Sequence, residues 1–368
     1  MFQFLHRISL SAGCLLVLIF ASCSEVKRTA EQTVPQVENA DSLQKEGRVR
    51  LLFAGDAMCH TPQVSSARRN GRGKLDFTYA FAGVKSYFER ADIAVVNFET
   101  TISPNGQYSG FPRFRTPAQY ADALRWLGVD VAVMANNHCC DGGEVGIRTT
   151  IAKFDTLGIA HTGVYLSKEE QERNPILYLE HDGVKLAIVN YTYGTNGIPV
   201  PRGCRVNHLD KQKMTQDIQR ATENVDCVVA CVHWGYEYHR QPSSEQRSLA
   251  QFLHDNGVDI IVGTHPHVIQ PYVASDEQIT LYSLGNFISN QKQPHTDGGL
   301  LAEIEVVKGR DGKCRYSLNT VPVWVKIPGH KLVSPETADS EPMAQWQRVK
   351  YERFIKSTAQ LLNGGVRK

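Results

Sequence analysis

The feature that most constrains this chain is a series of short, β-branched, apolar runs separated by helix-length amphipathic ones. Arg50 to Ala54, Ile93 to Val96, Val129 to Met134, Leu186 to Asn190, Cys227 to Val232 and Ile260 to Val262 are apolar almost throughout, with no polar alternation. A strand with one wet face alternates, so strands without alternation are expected to be buried on both faces by other layers. Between them, Tyr79 to Arg90, Pro117 to Leu127, Glu144 to Leu157, Leu209 to Thr222 and Ser243 to Asn256 carry helical patterns. Pro117 after Thr116 suits a helix start, and Ser243-Ser244-Glu245-Gln246 resembles an N-cap signature. Such alternation predicts an α/β domain with a largely parallel sheet. Ile279 to Trp324 reads as several strands with few helices, a second or extended sheet, and Met343 to Leu362 as a terminal amphipathic helix.

The N-terminus reads differently. Arg7 precedes an apolar run from Ile8 to Ala21, too short and wrongly flanked for a membrane span, so residues 1–22 read as a signal peptide. The run ends in Phe20-Ala21-Ser22-Cys23, small residues before a cysteine, as in a bacterial lipobox in which Cys23 is lipidated. Signal cleavage beside an incidental cysteine is the other reading, and in either case the domain is exported. With Cys23 lipidated, the protein is anchored to the cell envelope, periplasmic or at the surface. Ser24 to Gly47 is polar and poor in aromatics, a tether that cannot bury enough surface to order itself. A tether of that length reaches roughly 25–30 Å. Residues 48–330 then form the folded domain and 331–368 its C-terminal helical extension.

A net charge of +2 argues against nucleic acid as a partner, because nucleic-acid domains carry a basic excess. The seven cysteines after position 23 are odd in number and form no CxxC pair, which is not a disulfide framework. Cys227 and Cys231, inside an apolar run, read as core residues.

Chemistry collects where the predicted strands end. The clusters are Gly55-Asp56-Ala57-Met58-Cys59-His60, Asn97-Phe98-Glu99, Ala135-Asn136-Asn137-His138-Cys139-Cys140-Asp141-Gly142, His233-Trp234-Gly235-Tyr236-Glu237-Tyr238 and Gly263-Thr264-His265-Pro266-His267. In open α/β sheets the carboxyl ends of strands converge on one crevice. Separately, Asp56 reads equally as a turn residue, Asn137 as a helix cap and His138 as a satisfied histidine. Together, carboxylates, an amide and histidines at equivalent strand ends suit a borderline divalent ion such as Zn, Mn or Fe. His265 and His267, two apart, share a face on an extended segment.

Gly55-Asp56-x-Met58, Asn97-x-Glu99, Ala135-Asn136-Asn137-His138-x-x-Asp141-x-Gly143, His233-Trp234-Gly235-x-Glu237-Tyr238, Gly263-x-His265-Pro266-His267-Val268 and Tyr282-Ser283-Leu284-Gly285-Asn286-Phe287 occur in that order. They resemble the bacterial poly-γ-glutamate capsule synthesis (CapA-like) family, itself similar to the calcineurin-like metallophosphoesterases. The resemblance implies a four-layer α/β sandwich, two mixed sheets flanked by helices, around one or two divalent metal ions. Carried over by position, Asp56 binds metal one, Glu99 bridges, and Asn137 binds metal two. His233 and His265 complete metal two, His267 completes metal one, and His138 donates a proton to the leaving group. Two departures stand out: Met58 replaces a histidine ligand, with His60 as a candidate substitute, and Glu99 is longer than the usual aspartate. A thioether is a poor ligand for a hard ion.

Around this set, Asp141 reads as the partner that orients His138, or as a helix-start aspartate. Arg115, preferred over Arg113, reads as an anion clamp, and Glu237 and Tyr238 as cleft residues near His233. Asn286 is expected to shape the backbone and Trp234 to lie in the core. Three functions fit: phosphoester hydrolysis serving cell-surface polymer synthesis; a non-catalytic accessory subunit of anionic polymer synthesis or export; and metal-dependent amide cleavage or transfer on polyglutamate. The implied partners are an anionic polymer or a phosphorylated small-molecule or lipid substrate, membrane-embedded polymer synthase subunits, and the membrane through the lipid anchor.

Overall fold

A computed structural model describes residues 46–363; the signal peptide, Cys23 and nearly all of the tether lie outside the described residues. The apolar runs form two mixed sheets. From edge to edge the first contains Lys331–Val333, Cys314–Lys326, Gly298–Lys308, Gly47–Ala57, Ile93–Phe98, Val131–Val133 and Ala160–Thr162, with Asn286–Ile288 pairing beside the end of Gly47–Ala57. Its strands from Gly47–Ala57 to Ala160–Thr162 are parallel, and Gly298–Lys308 onward are antiparallel. The second sheet runs Tyr272–Ala274, Ile279–Leu281, Ile260–Thr264, Cys227–His233, Val184–Thr192 and Leu177–His181, parallel at its centre and antiparallel at both edges.

The lack of alternation has the expected cause. Leu51, Phe53, Val95, Val131 and Val133 of the first sheet share one core with Leu186, Ile188, Cys227, Val229 and Cys231 of the second. Their strand neighbours Leu52, Ala54, Ala94, Val96 and Ala132 pack instead beneath the helices Ala118–Leu127 and Gly143–Leu157. On the far side, Ala187, Val189, Val228, Ala230 and Val232 lie beneath Lys211–Thr222 and Ser244–Asp255. The order is helix, sheet, sheet, helix, and each central strand is buried on both faces. The terminal helix Gln345–Asn363 sets Tyr351 and Phe354 into the inter-sheet core, Tyr351 lying 6.0 Å from Trp324 between ring centroids. Ser243 and Gln246 form the expected capping box, and the seven cysteines from Cys59 to Cys314 are free.

One expected helix is broken. Tyr79 to Arg90 is not continuous but divides into Thr78–Phe81, a 3₁₀ turn at Ala82–Val84, and Lys85–Arg90. Ser334 and Thr337 hydroxyls donate to the Gly83 carbonyl at 2.9 and 3.2 Å, and a Cβ at Gly83 would sit 2.1 Å from the Leu332 carbonyl oxygen. A segment some 250 residues away takes a carbonyl that helix continuation needs.

The amino ends of the parallel strands share a device of their own. Asp92, Asp130, Asp226 and Asp259 each stand just before a strand. Each donates its backbone N–H to a residue on the adjacent strand, Arg50, Ala94, Lys185 and Val228 respectively, at 2.9–3.0 Å. The side chain then accepts the N–H of that same residue, at 2.8, 2.9, 2.8 and 2.7 Å. Four carboxylates thus satisfy four backbone groups where each ladder begins.

Candidate metal centre

At the opposite, carboxyl ends the strands deliver the clusters read from the sequence. Asp56 closes the Gly47–Ala57 strand, Glu99 follows Ile93–Phe98, Asn137 and His138 follow Val131–Val133, His233 ends Cys227–His233, and His265 and His267 follow Ile260–Thr264. Two glycines permit the close approach. A Cβ at Gly55 would stand 2.0 Å from the Gly285 carbonyl oxygen, and one at Gly263 2.0 Å from that of Tyr282. Asp56, next to Gly55, and His265, two residues after Gly263, therefore depend on them for position.

Asp56, Glu99, Asn137 and His233 have no solvent exposure, and His138, His265 and His267 have 4% or less. The Asn97 side-chain amide donates to Asp56 Oδ1 at 2.8 Å and Glu99 Oε2 at 3.3 Å, and its oxygen accepts from Asn136 at 3.0 Å. Asp56 Oδ2 lies 3.0 Å from His267 Nδ1. His233 Nε2 is 3.0 Å from Asn137 Oδ1 while its Nδ1 is 2.9 Å from Thr264 Oγ1. Glu99 Oε1 is buried with no hydrogen-bond partner, 3.8 Å from His233 Nε2 and 3.7 Å from His267 Nε2. Ligand atoms around a tetrahedral ion bound at about 2.1 Å stand about 3.4 Å apart, so this spacing suits a shared cation. His265 Nδ1 is likewise buried without a partner. Ligand atoms of Asp56, Glu99 and His233 lie within 4.8 Å of one another, as do those of Glu237, His265 and His267. Buried polar atoms left unpartnered cost about 1–3 kcal/mol each, and this cluster holds two at its centre. The residues present fit a divalent ion.

The electrostatics agree with that donor set. Burial, then the negative charge of Asp56, pushes the Glu99 carboxyl well above its ordinary value. Burial also opposes the charge of Asp56, but hydrogen bonds from His267 and Asn97 outweigh it and hold that carboxyl low. Burial and neighbouring histidines push His233 down, and His265 down to about 3, so both imidazoles are neutral, the form that ligates metal. Backbone strain is concentrated here: His265, His267 and Tyr238 have φ of +98°, +57° and +67°. Left-handed non-glycine residues cost about 1–3 kcal/mol and cluster at functional sites.

Beside the cluster, His138 Nδ1 stands 2.7 Å from Asp141 Oδ2, which also accepts the Phe114 N–H at 2.6 Å. The Phe114 ring packs edge-on against His138 with centroids 4.7 Å apart. Position 58 holds no ligand: Met58 is buried, its sulfur 3.7 Å from Ser289 Oγ. His60 does not fill in, since its Nε2 meets the same Ser289 hydroxyl at 3.2 Å and its ring packs on Phe114. Arg115 lies next to Phe114 with Nε buried and unpartnered, and among the described residues no ion pair ties it to the cluster. Tyr238 sits 6.3 Å from His267 between ring centroids. Trp234 is buried, its indole donating to the Tyr282 carbonyl, and Asn286 spans Gln291 and Thr296.

Three contributors carried no assigned role from sequence. Asn97 and Asn136 form the amide bridge beneath the carboxylates. Tyr193, in the loop after Val184–Thr192, lies 4.5 Å from the His265 ring and 44% exposed at the mouth. The only signal for the asparagines was their place beside Glu99 and His138. Tyr193 had none, because its strand ends in no ionisable cluster.

The fold, two mixed sheets flanked by helices, is metallophosphatase-like. A Staphylococcus aureus protein assigned as a 5′-nucleotidase, solved with α-ketoglutarate, superposes with a TM-score of 0.51 at 11% identity, over 84% of this chain and 58% of that one. The family model "Bacterial capsule synthesis protein PGA_cap" matches residues 50–291. The PGA biosynthesis protein CapA of Bacillus subtilis is 30% identical over 75% of this chain and 72% of its own length. The capsule biosynthesis protein CapA of Bacillus anthracis is 27% identical over 78% and 70%. The chain belongs to the bacterial capsule synthesis protein family. Among the described residues, no helix is long and apolar enough to cross a membrane.

Proposed function

We propose that this protein is an exported, lipid-anchored, metal-dependent phosphoester hydrolase that serves synthesis of an anionic cell-surface polymer. The carrying observation is the pairing of two features: a buried carboxylate and histidine set with unpartnered donors, and a histidine–aspartate dyad that a purely structural metal site does not need. The Asp141 carboxylate is fixed by the Phe114 N–H, so the His138 Nδ1 proton points to it and Nε2 is left to exchange a proton with a leaving group. That assignment of the tautomer follows from Asp141 having only lone pairs to offer. General-acid catalysis of this kind contributes about 10²–10⁴-fold. Asp56, Glu99, Asn137, His233, His265 and His267 would hold the ion or ions, of which Mn, Zn and Fe suit the mixed oxygen and nitrogen donors. When bound, such an ion supplies Lewis-acid polarisation and lowers the pKa of a coordinated water.

The accessory-subunit reading has one observation in its favour, the apolar burial of Met58 where a ligand is expected. Turnover of aryl phosphates and phosphodiesters by the metal-reconstituted full chain separates the two. Hydrolysis that falls about 10²-fold or more in His138→Ala at unchanged metal content supports catalysis. Full metal content with no turnover of any ester tested supports the accessory role.

A further inference from the structure

We propose that Glu237 is itself a metal ligand, holding a second divalent cation together with His265 and His267. The inference rests on the metal-dependent reading above and assigns one more residue to it.

Four observations carry it. The ligand atoms of Glu237, His265 and His267 all lie within 4.8 Å of one another. His265 is 4% exposed and its Nδ1 is buried without a hydrogen-bond partner, which leaves an unmet nitrogen on a residue of this triad. The two loops that bear the triad are tied together, the Tyr238 N–H donating to the Pro266 carbonyl at 2.8 Å. Tyr238, His265 and His267, on either side of that tie, have left-handed backbone. Finally, neither residue that could have restored the missing ligand is available, because Met58 and His60 both engage Ser289.

The two centres then differ in kind. Asp56, Glu99 and His233 are fully buried, whereas Glu237 is exposed at the mouth. A closed ligand set holds its ion firmly, and a set with an outward ligand keeps a position open to a substrate oxygen. The inner ion is tight, and the outer one exchanges.

Calorimetric titration of Mn²⁺ alone into the chelator-stripped full chain tests this, with Glu237→Gln and Glu237→Asp beside the wild type. Because Glu237 is a surface residue, neither variant threatens folding. The expected result is two sites in the wild type, with one weakened about tenfold or more in Glu237→Gln and partly restored in Glu237→Asp. Tenfold is the lower end of what even an indirect partner of a metal ligand is worth. Wild-type affinity at every site in Glu237→Gln overturns the assignment and leaves Glu237 as a substrate contact that moves only KM. A wild-type chain that takes up no ion overturns this inference and the metal-dependent function together.

Discussion

The two ends of the parallel strands carry the same residue types in opposite states. At the amino ends, Asp92, Asp130, Asp226 and Asp259 each accept a backbone N–H at 2.7–2.9 Å and return one to the same residue. At the carboxyl ends, Asp56 and Glu99 are more deeply buried, yet Glu99 Oε1 and the nearby His265 Nδ1 meet no hydrogen-bond partner. A carboxylate that closes a backbone ladder is there for the fold. One buried with an open lone pair costs stability, and such a cost persists where a ligand repays it.

The sharpest break of this comparison is at Glu99. In Glu99→Gln, turnover should fall by about 10³-fold or more, while the metal-free chain keeps or slightly gains stability because the cost of burying an ionisable carboxyl beside Asp56 is gone. Urea unfolding in chelator checks the second part, and a large loss of metal-free stability would place Glu99 with the structural aspartates. Next comes the dyad. His138→Ala should lower turnover about 10²–10⁴-fold, and Asp141→Asn about 10–100-fold, with metal content unchanged in both. At the amino ends the effects should reverse. Asp259→Ala leaves the Val228 N–H unpartnered and should cost about 1–3 kcal/mol by denaturant unfolding without altering metal content.

The smallest effect is a pH dependence at Asp92. Its hydrogen bonds with Arg50 hold its carboxyl below the ordinary value of 3.8, so the pair stabilises the fold above that pH. That contribution is lost as pH falls through the lowered folded value. Since Arg50 is exposed, it amounts to less than about 1 kcal/mol. Asp92→Asn should flatten this part of the acid limb of a stability–pH curve, measured by thermal melts between pH 5 and 3.

What could be read from the sequence follows the same division. Strands covered on both faces leave continuous apolar runs, so the six central strands were legible, and clusters at their ends marked the crevice. The break near Gly83 was not, because the groups that cause it, Ser334 and Thr337, are distant in sequence. The amino-end aspartates were overlooked because a lone aspartate before a strand looks like any turn residue. Among site residues, those named at strand ends converge, whereas the partnership of Glu237 with His265 and His267 depends on how two loops meet. Arg115 rests on its chemistry alone, and among the described residues no ion pair ties it to the centre.

The most direct test is the thermal stability of the full chain with excess Mn²⁺ and with chelator, in wild type and in Glu99→Gln. An ion at a hundredfold excess over its Kd stabilises the native state by about 2.7 kcal/mol, several degrees in Tm. Chelation is expected to lower Tm in the wild type and to lower it clearly less in Glu99→Gln. Equal Tm with and without the ion in the wild type would contradict a metal centre at these strand ends.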